Sequence, residues 1–203
     1  MAAFSDTIII TTEPIFKNKE MENYYLRNLV IASIEEVICK VIYAGLTRNW
    51  LFRGVITYGD FYLENNVLVG PAIDEASQWF EKADWMGCHL APSASLIVET
   101  LGNANIYVNF HIKYPIPFKE DSHKYNYLYA LNYISWFDIF GHDKSDTNID
   151  TLPKLREALT DIFCKQPTRT DVYRKLDNTL RFFDLMVKNI TDKKDHIYSG
   201  DVT

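Results

Sequence analysis

The chain opens on a β-branched run, Thr7-Ile8-Ile9-Ile10-Thr11-Thr12, which predicts a buried strand ended by Pro14. Apolar residues then fall at Leu26, Val30, Ile34, Val37, Ile38, Val41 and Ile42. That spacing predicts a long amphipathic helix over 22–44, with Gly45 as its C-terminal stop. Residues 50–58 read as a strand and Gly59-Asp60 as a turn or bulge. Residues 61–69 read as a second strand, bent or turned near Glu64-Asn65-Asn66. Gly70-Pro71 opens a helix, proline suiting its first turn, and Ala72, Ile73, Ala76, Phe80 and Ala83 line one face. A short apolar strand at 86–90 and a helix at 92–101 follow.

Two more strands are predicted at 106–114 and 125–134, joined through Pro115-Ile116-Pro117 and a polar loop at 119–124. Tyr125, Tyr127 and Tyr129 alternate, which suits one face of a strand. A polar linker at 141–150 leads into a helical region. Leu152, Leu155, Leu159, Ile162 and Phe163 mark one helix; Val172, Leu176, Leu180, Phe183 and Val187 mark another. The tail after Thr191 reads as polar and frayed. The pattern divides the chain into a core at 1–102, additional strands completing the sheet at 103–140, and a helical extension at 141–203. The class is α+β, with a mainly antiparallel sheet and helices on one face.

Composition adds exclusions. With 47% hydrophobic and 24% charged residues the chain is neither disordered nor coiled coil. A net charge of −6 argues against nucleic acid as a partner, so Trp79, Trp85 and the tyrosines read as core and interface, not as a base-stacking platform. No apolar run approaches the ~18 residues that span a bilayer, so no membrane span is expected. Cys39, Cys88 and Cys164 are scattered and form no CxxC, which fits a reducing, cytoplasmic setting. The five histidines show no paired spacing that would bind zinc.

Two stretches offer chemistry. Residues 52–60 and 69–78 turn a strand pair into a helix through glycine, and free amides at a helix start can hold phosphate. The competing reading is a tight turn with ordinary packing. Asp74 and Gln78, four apart, share a helix face that meets a ligand or only solvent. In Phe4-Ser5-Asp6-Thr7-Ile8, an aspartate at the mouth of a strand can present a hard oxygen to Mg²⁺ or Mn²⁺, or merely cap a turn.

Together these pieces resemble a class III nucleotide cyclase homology domain, over roughly residues 3–101. Phe4-Ser5-Asp6-Thr7-Ile8 is similar to the family's hairpin, whose aspartate is the second metal ligand. Arg53-Gly54-Val55-Ile56-Thr57-Tyr58-Gly59 is similar to the strand before the glycine turn, and Gly70-Pro71-Ala72-Ile73-Asp74-Glu75-Ala76-Ser77-Gln78 to the helix start behind it. Trp85-Met86-Gly87-Cys88-His89-Leu90 and Ala91-Pro92-Ser93 resemble the later strand and the serine opening the next helix. The look is closest to stand-alone bacterial pyrimidine-nucleotide cyclases of phage defence. The resemblance implies a ferredoxin-like, cyclase-type sheet and conversion of a nucleoside triphosphate, UTP or CTP among them, to a 3′,5′-cyclic nucleotide and pyrophosphate. It implies Asp6 as metal ligand for Mg²⁺ or Mn²⁺, Arg53, Gly70 and Pro71 at the nucleotide, Asp74 and Gln78 at the reacting groups, and a site built across a homodimer.

The departures from the pattern define the rival. Only five residues precede Asp6, whereas the family's first metal aspartate lies about forty residues ahead of that motif, so an upstream segment is expected to supply it. Asp74 stands for the family's asparagine and Gln78 for its arginine, and a glutamine brings no positive charge to the phosphorus. The rival is a catalytically inactive module for dimerisation or nucleotide sensing. A third reading is an unrelated α+β domain.

Overall fold

The computed structural model of the chain describes residues 2–4, 7–12, 25–65, 67–101, 110–119, 128–140, 149–165 and 169–198. Among them the class is α+β. The order is β1 (Ala2–Phe4), β2 (Thr7–Ile9), α1 (Tyr25–Leu46), β3 (Gly54–Ile56), β4 (Tyr62–Glu64), β5 (Val67–Val69), α2 (Pro71–Lys82), β6 (Cys88–Leu90), α3 (Pro92–Leu101), β7 (His111–Tyr114), β8 (Leu128–Leu131), α4 (Tyr133–Phe140), α5 (Leu152–Cys164) and α6 (Thr170–Tyr198).

Four strands form the central sheet in the order β3-β6-β8-β7. β3 and β6 are parallel, with Val55 opposite His89. β8 runs antiparallel to both β6 and β7. The sheet is therefore mixed: two of its three pairings are antiparallel, and the third is parallel because β3 returns to β6 through the crossover helix α2. The hairpins β1–β2 and β4–β5 are separate two-stranded ribbons.

Helices flank both faces, against the expectation of one. Cys88 and His89 are neighbours in β6 and point to opposite faces. Cys88 lies in the field of Glu35 on α1, as does Cys39 on the same helix. His89 lies edge-on to Phe118 at 6.0 Å, and Phe118 is edge-on to Trp79 of α2 at 5.7 Å. α1 thus covers one side and α2 the other.

Several boundaries move for identifiable reasons. α1 runs through Gly45, where a Cβ would sit 2.3 Å from the Phe52 ring; Asn49, in the left-handed region at φ 59°, helps redirect the chain after the helix. Thr7 and Ile8 of β2 are exposed, because this ribbon is not joined to the central sheet. The turn expected at 64–66 is present, with Asn65 at φ 48° between β4 and β5. The strand predicted to reach 134 stops at Leu131, and α4 begins at Tyr133. Asn132 caps it: its Oδ1 accepts the Ser135 N–H at 3.0 Å. Tyr125 and Tyr127 lie outside the described residues, and α6 continues to Tyr198 where fraying was expected after Thr191.

The helical extension is part of the core. Phe182, Phe183 and Met186 of α6 are fully buried in one cluster with Trp85, Leu131, Ile134, Phe137 and Leu155. The Phe182 ring meets Trp85 and Tyr114 edge-on, each at 4.8 Å. Burying each such side chain stabilises by roughly 1.5–3 kcal/mol. Polar contacts fix the register: Arg174 bonds the buried Asp84 carboxylate, Asn178 donates to Asp84 O at 2.8 Å, and Met86 N–H donates to Thr179 Oγ1 at 2.9 Å. None of the helices in the described residues is long and apolar enough to cross a membrane.

Candidate functional site

The sheet has one natural mouth. β3 and β6 are adjacent and parallel, so their carboxyl ends lie side by side. β6 runs almost directly into α3 at Pro92, and β3 reaches α2 at Pro71 through the β4–β5 ribbon. Two helix starts beside the carboxyl ends of adjacent parallel strands are the arrangement at which open sheets commonly take ligands.

Glycine builds the α2 start. Gly70 has φ 137°, and a Cβ there would lie 2.7 Å from Asp60 O and 2.8 Å from Phe61 Cα. Gly59 adopts φ 154°, a backbone conformation that favours glycine. The segment at 59–61 therefore lies on the first turn of α2. Ala72 N–H donates to Asp60 O at 3.3 Å, and Ile73 and Asp74 N–H both donate to Gly70 O, at 2.9 and 3.0 Å. Pro71 has no N–H to offer. The amides expected to hold phosphate are thus already bonded within the protein.

The α3 start is occupied as well, by a residue that sequence reasoning missed. Glu75 of α2 accepts the Ser93 N–H at 3.0 Å on Oε1 and the Ser93 hydroxyl on Oε2. Ser93 Oγ in turn accepts the Tyr58 N–H at 2.9 Å. One carboxylate joins α2, α3 and the chain beyond β3, and its charge suits a helix N-terminus. Only the position of Ser93 at a helix opening hinted at this.

Asp74 and Gln78 are both exposed on α2, at the spacing expected. Arg53 is not with them. Its Nη1 donates to Ala83 O at 3.3 Å and its guanidinium lies 4.4 Å over the Phe80 ring. Ala83 is nine residues beyond Asp74, about 13 Å along the helix axis. Arg53 thus packs at the far end of α2 from Gly70, Pro71 and Asp74. Asp6 lies outside the described residues, between β1 and β2, where Phe4 pairs with Thr7. Among the described residues no group of three or more His, Cys, Asp and Glu side chains is placed to hold a metal ion. The exposed carboxylates of Asp60 and Asp74 do not by themselves make the oxygen set that Mg²⁺ or Mn²⁺ requires.

Other titratable groups lie in the interior. Burial, and secondly the Arg53 charge, push His89 down to about 4; the Gly54 backbone opposes this but is not in hydrogen-bonding geometry. Burial pushes the Cys39 and Cys88 thiols far up, so neither is a nucleophile. Glu35 on α1 is fully buried; it accepts the Phe110 N–H at 3.1 Å and meets His111 Nδ1 at 2.6 Å. The sequence signal for it is an acid on the apolar stripe, between Ile31 and Cys39. A surface recess of about 440 Å³ lined by Arg169, Thr170, Tyr173, Arg174 and Asp177 opens at the start of α6, away from the mouth.

Comparison of the chain with protein-family models, with curated proteins and with solved structures finds no match in any of the three.

Proposed function

We propose that the chain is a nucleotide-cyclase-like module that takes a nucleoside triphosphate, UTP or CTP foremost, at the mouth beside α2 and closes it to a 3′,5′-cyclic mononucleotide. The ribose 3′-oxygen attacks the α-phosphorus, loses its proton, and pyrophosphate leaves with the broken P–O bond. The observation that supports this reading is the pairing of two helix starts at the carboxyl ends of adjacent parallel strands, with Asp74 and Gln78 exposed beside them. Asp74 is suited to accept a ribose hydroxyl and Gln78 to donate an amide N–H to a phosphoryl oxygen. A requirement for Mg²⁺ or Mn²⁺ rests on Asp6, and a homodimer would complete the site. Signalling against phage is the setting that the sequence resemblance favours. The test is incubation of the full chain with each of the four triphosphates and Mn²⁺, followed by chromatography of the products. A cyclic nucleotide that Asp6→Ala abolishes and Asp74→Ala diminishes supports the reading; turnover indifferent to both refutes the site.

A second reading, a non-catalytic module for nucleotide sensing or dimerisation, is favoured by one specific arrangement. The α2 amides are bonded internally, and Glu75 holds the α3 start. Under it a triphosphate raises the melting temperature without giving product. Neither product nor a thermal shift with any triphosphate would remove both readings.

A further inference from the structure

On the sheet face away from α2, the pair of Glu35 and His111 has the build of an activated imidazole. Glu35 is fully buried and its two oxygens are each engaged, Oε2 by the Phe110 N–H and Oε1 by His111 Nδ1 at 2.6 Å. Glu35 carries no donor when ionised, so Nδ1 bears a proton in that bond, and in the neutral ring the lone pair then falls on Nε2. Nε2 receives no hydrogen bond from a described residue, yet it is not sealed in the interior as both nitrogens of His89 are. The His111 side chain keeps 7% of its surface open. The Tyr129 ring stands edge-on to the imidazole at 5.2 Å and narrows its range of tilt. Lys113, two residues along β7 and on the same face, is held by Glu99 at 2.5 Å and lies 5.9 Å from the Tyr129 ring.

We infer that His111 is a nucleophilic histidine that accepts a phosphoryl group at Nε2 from a small, reactive phosphoryl donor. The Nε2 lone pair attacks phosphorus and the bond from phosphorus to the leaving group breaks. With phosphoramidate as donor, its already protonated nitrogen departs as ammonia. The Nδ1 proton stays on the ring, so the positive charge created there faces the Glu35 carboxylate. Lys113 shifts from Glu99 to the incoming phosphoryl oxygens. His111 lies on the sheet face that α1 covers, away from the start of α2.

The decisive experiment compares folded with urea-unfolded chain, both exposed to phosphoramidate and both digested for mass spectrometry under alkaline conditions that preserve phosphohistidine. A histidine merely buried is protected by folding; an oriented nucleophile is accelerated by it. Faster labelling of His111 in the folded chain, on the order of tenfold or more, supports the inference. Equal or slower labelling in the folded chain overturns it, whatever the variants do. Glu35→Gln keeps the volume and removes the charge, and its expected result is loss of the acceleration by folding. Glu99→Gln releases Lys113 on the surface and is expected to speed labelling; a rate unchanged by it removes Lys113 from the site.

Discussion

The ribbon β4–β5 and the helix α4 draw on similar residue types and end in opposite environments. Tyr62, Leu63, Val67 and Val69 of the ribbon are about half exposed, whereas Tyr133, Ile134, Trp136 and Phe137 of α4 are buried. The cause is not hydrophobicity, which is high in both. A two-stranded ribbon has two open edges and two faces, and this one rests against the body mainly where β5 meets α2. α4 is enclosed by α1, α5 and α6 over its first two turns, and only Ile139 and Phe140 at its end are about half exposed. Apolar side chains stabilise only where neighbours displace water from them. The comparison teaches that the same composition is core in one place and surface in the other because of what stands beside it.

The largest expected effect falls on the enclosed side. Phe137→Ala removes a fully buried ring beside Tyr43 and should cost about 3–5 kcal/mol, read as a lower midpoint in urea at unchanged slope. A loss under about 1 kcal/mol would mean that α4 is not the packed partner of α1.

Next comes the interior on the α2 side. His89 is neutral in the folded protein and held down at about 4, against an ordinary value of 6.5. Between those values the unfolded chain binds more protons than the folded one, so stability rises with pH through that window and falls as pH drops from 6.5 towards 4. The loss should reach about 3 kcal/mol by the bottom of the window. Urea midpoints from pH 4 to 7 measure it, and His89→Leu should flatten the curve. A slope that survives in His89→Leu belongs to other groups.

A smaller effect is expected where the ribbon hands over to α2. Gly70→Ala puts a methyl group 2.7 Å from Asp60 O at φ 137°, and should cost about 1–3 kcal/mol in thermal melts. A neutral result would show that the contact between 59–61 and the α2 start yields easily. The smallest belongs to the ribbon itself. Val67→Thr is exposed and keeps a β-branched side chain, so stability should move by no more than about 0.5 kcal/mol. A larger destabilisation in solution would show that the ribbon is covered there, and that the contrast with α4 holds only for the isolated chain.

How far the sequence could be read depended on whether the signal was local. The α2 helix, its Gly70-Pro71 opening, the α3 span and the turn at Asn65 were all legible, because each depends on backbone chemistry within a few residues. The helix α4 was not, because its aromatic and β-branched residues match a strand as well as a buried helix; the capping side chain of Asn132 was the local cue. At the candidate site, Asp74 and Gln78 share a helix face as their spacing requires, but Arg53 stands at the wrong end of α2. No spacing rule relates residue 53 to residue 83, since that contact passes through the tertiary fold.

By itself, then, the chain determined its α+β class, the glycine-built opening of α2 and the presence of an acid within the apolar stripe of α1. The tertiary structure decided that β3 and β6 run parallel, that helices cover both sides of the sheet, that Glu75 sits at the α3 start, and that Glu35 meets His111. The physical reason is range. Backbone preference and side-chain period act over one or two turns of chain. The partner of a buried charge is chosen by desolvation, which penalises every arrangement that leaves it alone and so depends on residues from anywhere in the chain.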